Sequence, residues 1–249
     1  MIKTSAATLL AGLALALAAM AEDAPPPAKA EEPAKPTVRE VSPGIFEIGK
    51  VRLDQKALTI SFPGKLNMQR GLLEYLLVNP KGSAHESLLA TDVGASDIHF
   101  AMLLLGAKGG VIIAEAPPPP QLDGRYFHTA PTLTGDTVFI TVKWKEKDVE
   151  ITVPVENWLY NETAKKAIEH GPWIYNGSMV YEGSFLAQAE GNLVALDTAP
   201  AALINNPCKN ADNDQIWNVN EKVTPRVNTP VEIIFKLVPP TVPKPASKP

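Results

Sequence analysis

The chain has 249 residues and a formal net charge of −4, from 23 basic and 27 acidic side chains. A charge this mild and evenly spread argues against nucleic acid or anionic lipid as a partner. The single cysteine, Cys208, excludes an internal disulfide and an iron–sulfur cluster held within one chain. An intermolecular disulfide through Cys208 stays an alternative.

The first 21 residues have the pattern of a secretory signal peptide. Lys3 supplies the positive charge, residues 9–19 are apolar, and Ala19 and Ala21 are the small residues that a signal peptidase reads. Because spanning a bilayer takes about 20 apolar residues, we expect cleavage after Ala21 rather than a membrane anchor. The pattern predicts a periplasmic or extracellular protein that does not span the membrane after signal cleavage.

Composition divides the rest of the chain into three parts. Residues 22–37 are rich in Pro, Ala and Glu and predict a disordered leader. The Pro-rich residues 239–249 predict a disordered tail. Between them, residues 38–238 are long enough for one globular domain with a sizeable core.

Two apolar stretches precede the predicted central helix. Residues 72–78 and 86–90 flank the turn residues Asn79-Pro80-Lys81-Gly82, which suggests a hairpin buried on both faces. Residues 97–106 then predict a helix that is apolar almost all round and therefore belongs in the middle of a core. We expect Ser96 or Asp97 to cap its N-terminus and Gly106 to end it.

The second half of the domain has the pattern of short strands. Residues 137–143 alternate, and residues 149–155 follow after a four-residue polar turn, which predicts a hairpin. Residues 231–238 form a closing strand. The sequence therefore predicts an α+β fold, with mostly short antiparallel strands packed around one buried apolar helix at about residues 97–106.

Several segments together resemble a known protein family. HESLL followed by TD, then DIHFAMLLLG, WIYNGS, ALINNP and NTPVEIIF, is similar to the YdjY-domain proteins over roughly residues 38–238. These are largely uncharacterised exported bacterial proteins, so the resemblance implies export and one domain but no reaction. Some relatives are described as ferredoxin-like with iron–sulfur clusters, and this chain lacks the cysteines for one.

One cluster of side chains offers metal ligands and a candidate ligand-binding site. His85, Glu86, Asp92, Asp97 and His99 combine imidazole and carboxylate groups, which suit zinc or another divalent ion. His85 and His99 are the metal candidates, although their spacing matches no metalloprotease motif. In the alternative interpretation, His99 is a core histidine and Asp97 and Asp92 stabilise the helix and the turn.

Two further stretches suggest binding. Residues 210–221 place side-chain oxygens at positions one, three, five and twelve of a calcium loop. Gln215 stands where that loop needs glycine, so these calcium ligands are weaker candidates. They are Asn210, Asp212, Asp214 and Glu221.

Aromatic side chains on one sheet face could stack on sugars or grip a peptide, although aromatic residues at strand spacing are more often part of the core. The candidates are Trp158, Tyr160, Trp173, Tyr175 and Tyr181.

The sequence favours a non-catalytic function. We expect an exported binding or structural module of the bacterial envelope, with an unspecified ligand or protein partner and no predicted cofactor. The candidate ligand-binding residues are His85, Glu86, Asp97, His99 and Trp173. The alternative is a metal-dependent hydrolase that uses His85, Glu86 and His99, with Glu86 as general base. A calcium-stabilised structural domain is the third hypothesis.

Overall fold

The computed structural model describes residues 37–110, 134–208, 211 and 213–238. These residues belong to one compact unit. The predicted signal peptide, the predicted tail and all of the predicted leader except Thr37 lie outside the described residues, and so do Asn210 and Asp212.

Strands hold 45% of the described residues and helices 12%. Helix α1 is Ala95–Leu104 and helix α2 is Leu186–Glu190, with short 3-10 helices at Ala84–Glu86 and Val155–Trp158. The strands, in chain order, are β1 (Val38–Ser42), β2 (Ile45–Ile48), β3 (Val51–Asp54), β4 (Thr59–Leu66), β5 (Tyr75–Val78), β6 (Ser87–Ala90), β7 (Asp136–Glu146), β8 (Val149–Pro154), β9 (Leu159–Asn161), β10 (Lys166–Ala167), β11 (Trp173–Tyr175), β12 (Val180–Tyr181), β13 (Ser184–Phe185), β14 (Asn192–Ala195), β15 (Ile204–Asn205), β16 (Trp217–Val219) and β17 (Pro230–Val238).

Eight strands close into a barrel. Their order is β4-β17-β7-β11-β15-β14-β5-β6, and β6 pairs back onto β4 where Lys65 faces Ala90 and Leu66 faces Leu89. Strands β3, β2 and β1 continue the sheet outward from β4, and β8 continues it from β7. Two small sheets, β10-β9-β16 and β12-β13, complete the structure of the described residues.

The core lies inside the barrel and consists mainly of strand side chains. Successive residues of β7 and β17 alternate between buried and more exposed positions, as expected for strands with one face on a core. Phe62 of β4 meets Phe235 of β17 edge to face, with 5.2 Å between the ring centroids. These aromatic pairs add to the burial of apolar area.

The α+β prediction is therefore wrong, because the fold is mostly β and the helix is not its centre. Helix α1 buries Ala95, Ile98, Ala101 and Met102, and it contacts β3 and β4. Leu103 is 47% exposed and Leu104 is 41% exposed. An apolar sequence all round this helix suggested complete burial, but its last turn lies at the surface.

The ends of α1 show one confirmed and one incorrect prediction. Gly106 has φ +89°, its N–H donates to Leu103 O at 2.9 Å, and Ala107 N–H donates to Met102 O at 3.0 Å. This is the Schellman arrangement expected of a helix that ends at glycine. The N-terminal cap is Gly94 rather than Ser96 or Asp97, and Gln188 of α2 accepts a hydrogen bond from Ser96 N–H at 3.1 Å.

The two predicted hairpins had different outcomes. Strands β7 and β8 pair antiparallel across their turn, as predicted. Strands β5 and β6 instead pair parallel, with Tyr75 facing Ser87 and Val78 facing Ala90. The chain crosses back through the 3-10 helix Ala84–Glu86, so the turn residues after β5 begin a crossover and not a hairpin.

Candidate functional site

The predicted pair His85 and Glu86 lies on the surface. Both residues belong to the 3-10 helix Ala84–Glu86, which precedes β6. The His85 side chain is 81% exposed, and its Nε2 lies 3.5 Å from Glu86 Oε2. A contact in this exposed position is screened by solvent and contributes little to stability. The pair is accessible, but no wall of protein surrounds the imidazole.

His99 lies in a different setting, on the side of α1 that faces β11. Its Nδ1 is 2.8 Å from the Tyr175 hydroxyl, and its ring centroid is 5.0 Å from that of Phe185. Tyr175 is completely buried. Burial lowers the pKa of His99 and raises the pKa of Tyr175, since each group loses hydration in its charged form. The imidazole therefore anchors the helix to the barrel through a half-buried hydrogen bond.

Asp97 packs against the turn between β2 and β3. A Cβ atom on Gly49 would lie 2.6 Å from Asp97 Oδ2, and Gly49 has φ +57°. Only glycine fits this turn without strain. Burial raises the pKa of the Asp97 carboxyl. Asp97 thus fixes how α1 sits against the β2–β3 turn.

Trp173 is part of the core. It is 2% exposed, and its Nε1–H donates a hydrogen bond of 2.8 Å to Oε1 of Glu156, which is itself 3% exposed. Trp158 is also buried, whereas Tyr181 is 59% exposed. The aromatic residues of this half of the chain therefore divide between core and surface instead of sharing one binding face.

The candidate metal ligands do not form one cluster. Among the residues that the structure describes, no group of three or more His, Cys, Asp or Glu side chains could hold a metal ion. His85 contacts Glu86 and His99 contacts Tyr175, on separate elements. In the predicted calcium loop, Asp214 Oδ1 accepts a hydrogen bond of 3.0 Å from Gln215 Nε2.

The fold brings together acidic residues that are distant in sequence. Burial raises the pKa of Glu74, and the negative charges of Glu86, Asp214 and Asp197 raise it further, while His85 opposes them. Two of these residues, Glu86 and Asp214, come from different predicted sites. Only the barrel topology places them near β5, so no local pattern could have shown it.

Exposed apolar side chains gather near the end of α1 and at the β12-β13 hairpin. Val180 is 67%, Tyr181 59% and Met179 43% exposed, and Val180 pairs with Phe185, whose ring contacts His99. Leu103 follows His99 by one helical turn and so lies on the same helix face. We call Leu103, Met179, Val180 and Tyr181 the hairpin patch. Val180 and Tyr181 are consecutive in β12 and so lie on opposite faces of the hairpin, and exposed apolar groups of this kind are found at interaction sites.

Comparison with known families identifies the domain. The family model described as the YdjY domain matches residues 51–236. The chain belongs to the YdjY domain family. The matched range begins at β3 and ends within β17, so it contains the barrel of the YdjY domain except the last two residues of β17. No curated protein and no solved structure matches the chain.

The hairpin patch is the feature of this YdjY domain that sequence reasoning missed. The sequence predicts a short strand at Met179–Tyr181, and the turn Glu182-Gly183 follows directly. Both residues of β12, Val180 and Tyr181, are exposed, whereas the equally short β15 is buried, so strand length alone could not have indicated this exposure. Among the described residues, no helix is long and apolar enough to cross a membrane.

Proposed function

We propose that this YdjY-domain protein is an exported, non-catalytic binding module of the bacterial envelope, and that the hairpin patch binds a partner protein. The main support for this proposal is that the four side chains of the hairpin patch are 43% to 67% exposed. Isolated apolar side chains on a surface are ordinary, but three exposed apolar residues in succession, Met179, Val180 and Tyr181, favour a protein contact.

The geometry of the hairpin supports a protein partner. Strands β12 and β13 pair only with each other in the described part of the chain. The hairpin is held at its base by the hydrogen bond from Leu186 N–H to Met179 O at 3.0 Å and by Ser178 Oγ, which accepts from Ala187 N–H at 3.1 Å. An apolar group on a well-anchored hairpin can insert into a partner with little loss of conformational entropy.

The hydrolase alternative has less support. It requires His85 and His99 to bind one ion at about 2.0–2.1 Å from each nitrogen. His85 contacts Glu86 at the surface, and Nδ1 of His99 is engaged by the buried Tyr175 hydroxyl. The export part of the proposal rests on the signal-peptide pattern of residues 1–21.

Site-specific photocrosslinking in intact cells tests the proposal. A photoreactive amino acid in place of Tyr181 should yield a discrete adduct with another protein. The same substitution at Val149, which is 62% exposed on β8, is the matched control and should give none. An adduct of doubled mass would identify a second copy of this chain as the partner. Equal labelling from both positions would contradict a specific site.

Elemental analysis of the purified protein tests the alternative at the same time. One zinc ion per chain, lost in His99→Ala, would favour the hydrolase over the binding module. With the photoreactive amino acid kept at position 181, the variants Val180→Lys and Met179→Lys should lose the crosslinked partner without a change in melting temperature, because both side chains are exposed.

A further inference from the structure

The outer edge of β4 changes partner part-way along its length. Strand β3 pairs with β4 at Thr59–Ser61, and β6 pairs with the same edge at Lys65 and Leu66. Between them, Pro63 and Gly64 have no strand partner on this edge within the described residues. Proline suits the gap because it has no N–H to leave unpaired, and its carbonyl accepts a hydrogen bond of 2.6 Å from Thr91 Oγ1.

This gap opens as a pocket of about 140 Å³ on the outside of the barrel. Its lining residues are Lys50, Pro63, Gly64, Lys65, Ala90, Thr91 and Asp92. A Cβ atom on Gly64 would lie 2.6 Å from Ile233 Cδ1 and 3.1 Å from Ala90 O. Ile233 is completely buried, so this space lies on the core face of β4, and Gly64 contributes only backbone to the pocket wall.

Two lysines bring positive charge to the pocket. Lys50 comes from the β2–β3 turn, and Lys65 projects from the outer face of β4. Neither lysine has a carboxylate within ion-pair distance among the described residues. The acidic groups nearby are Asp92, which lines the pocket, and Asp97, which packs against Gly49.

We propose that this pocket binds a small oxyanion, the carboxylate or phosphate group of a ligand, between the ammonium groups of Lys50 and Lys65. The pocket is smaller than the roughly 300–1,000 Å³ of sites for drug-sized ligands, so it suits one charged group rather than a large molecule. Ammonium groups bind oxyanions through charge-assisted hydrogen bonds. Asp92 can accept a hydrogen bond from a hydroxyl or amine on the same ligand.

The inference is independent of the hairpin patch, since the two sites share no residue. Binding at a half-open pocket should weaken as salt rises, because mobile ions screen the lysine charges. It should also strengthen in Asp92→Asn, because this change removes the one negative charge that lines the pocket.

Amide chemical shifts in ¹⁵N-labelled protein can locate the binding. We expect inorganic phosphate or acetate, added at constant ionic strength, to shift the amides of Gly64, Thr91 and Asp92 in a saturable way. Saturation by phosphate alone would assign phosphoryl ligands, and saturation by acetate would assign carboxylates. Both results support the site.

Charge-matched variants decide whether the lysines are responsible. Lys50→Met and Lys65→Met should each raise the dissociation constant of the oxyanion about tenfold. Lys56→Met removes the same charge from the β3–β4 turn and should leave affinity unchanged. Equal weakening by Lys56→Met, shifts spread over all lysine-bearing surfaces, or no saturable shift with either ion would overturn the proposal.

Discussion

The half-buried imidazole of His99 should make the stability of this domain depend on pH. Its Nδ1 lies 2.8 Å from the hydroxyl of the fully buried Tyr175, and Phe185 covers its ring. The charged groups near this pair are Asp97 on the same helix and Asp136, which lies beside Tyr175 and helps raise the Tyr175 pKa. Desolvation lowers the pKa of His99 below the usual value.

The sign follows from proton binding. An unfolded histidine titrates at about pH 6.5, whereas His99 in the folded protein takes up its proton only at lower pH. Between these values the unfolded chain binds more protons, so the free energy of unfolding falls as the pH drops below about 6.5. From this one group, the free energy of unfolding cannot change by more than ~1.4 kcal/mol per pH unit. Because solvent reaches the half-buried ring, we expect the total loss of unfolding free energy to be ~0.5–1 kcal/mol.

Urea denaturation at pH 7.5 and pH 5.5 measures this effect. We expect the wild type to lose more stability between these two pH values than His99→Asn, whose amide keeps a hydrogen-bonding group near Tyr175 but does not titrate. The variant loses ring contacts with Phe185 at every pH, so the pH dependence is the informative quantity. His85→Asn, at an exposed position, should behave as the wild type. An unchanged pH dependence in His99→Asn would refute the reasoning.

Two other substitutions test buried hydrogen bonds. Trp173→Phe should reduce the free energy of unfolding by ~2–3 kcal/mol, because buried Glu156 loses the 2.8 Å hydrogen bond from the indole. Urea titration measures this loss. A variant as stable as the wild type would show that the bond is unimportant. Thr91→Val should cost ~1–2 kcal/mol in a melting experiment, because the carbonyl of Pro63 loses its donor. Thr91→Ser keeps the hydroxyl and should stay closer to the wild type; equal losses would instead point to packing.

Local sequence patterns predicted the elements whose partners are close in the chain. The β7–β8 hairpin needs only alternation and a turn, and both lie within residues 136–154. The helix end at Gly106 likewise depends on one residue with a positive φ. The β5–β6 pair was misjudged because an apolar run with turn residues looks the same before a hairpin and before a crossover.

The candidate sites were harder to predict because their residues come from distant strands. His85 and His99 are close in sequence, but β6 separates them and each contacts a different part of the domain. Lys50 and Lys65 carry no motif, and only the change of partner along β4 brings them to one pocket. Trp173 had the right chemistry for stacking, yet its indole hydrogen-bonds to buried Glu156.

The sequence by itself determined the family, the strand-rich second half of the domain and the glycine that ends α1, because each depends on residues close together in the chain. Only the tertiary structure decided that the sheet closes and that the last turn of α1 lies at the surface. Closure depends on β6 meeting β4 through backbone hydrogen bonds, which every residue type except proline can make on both sides. Such pairing leaves little trace in side-chain pattern, so the barrel, and the pocket at its edge, emerged only from the assembled fold.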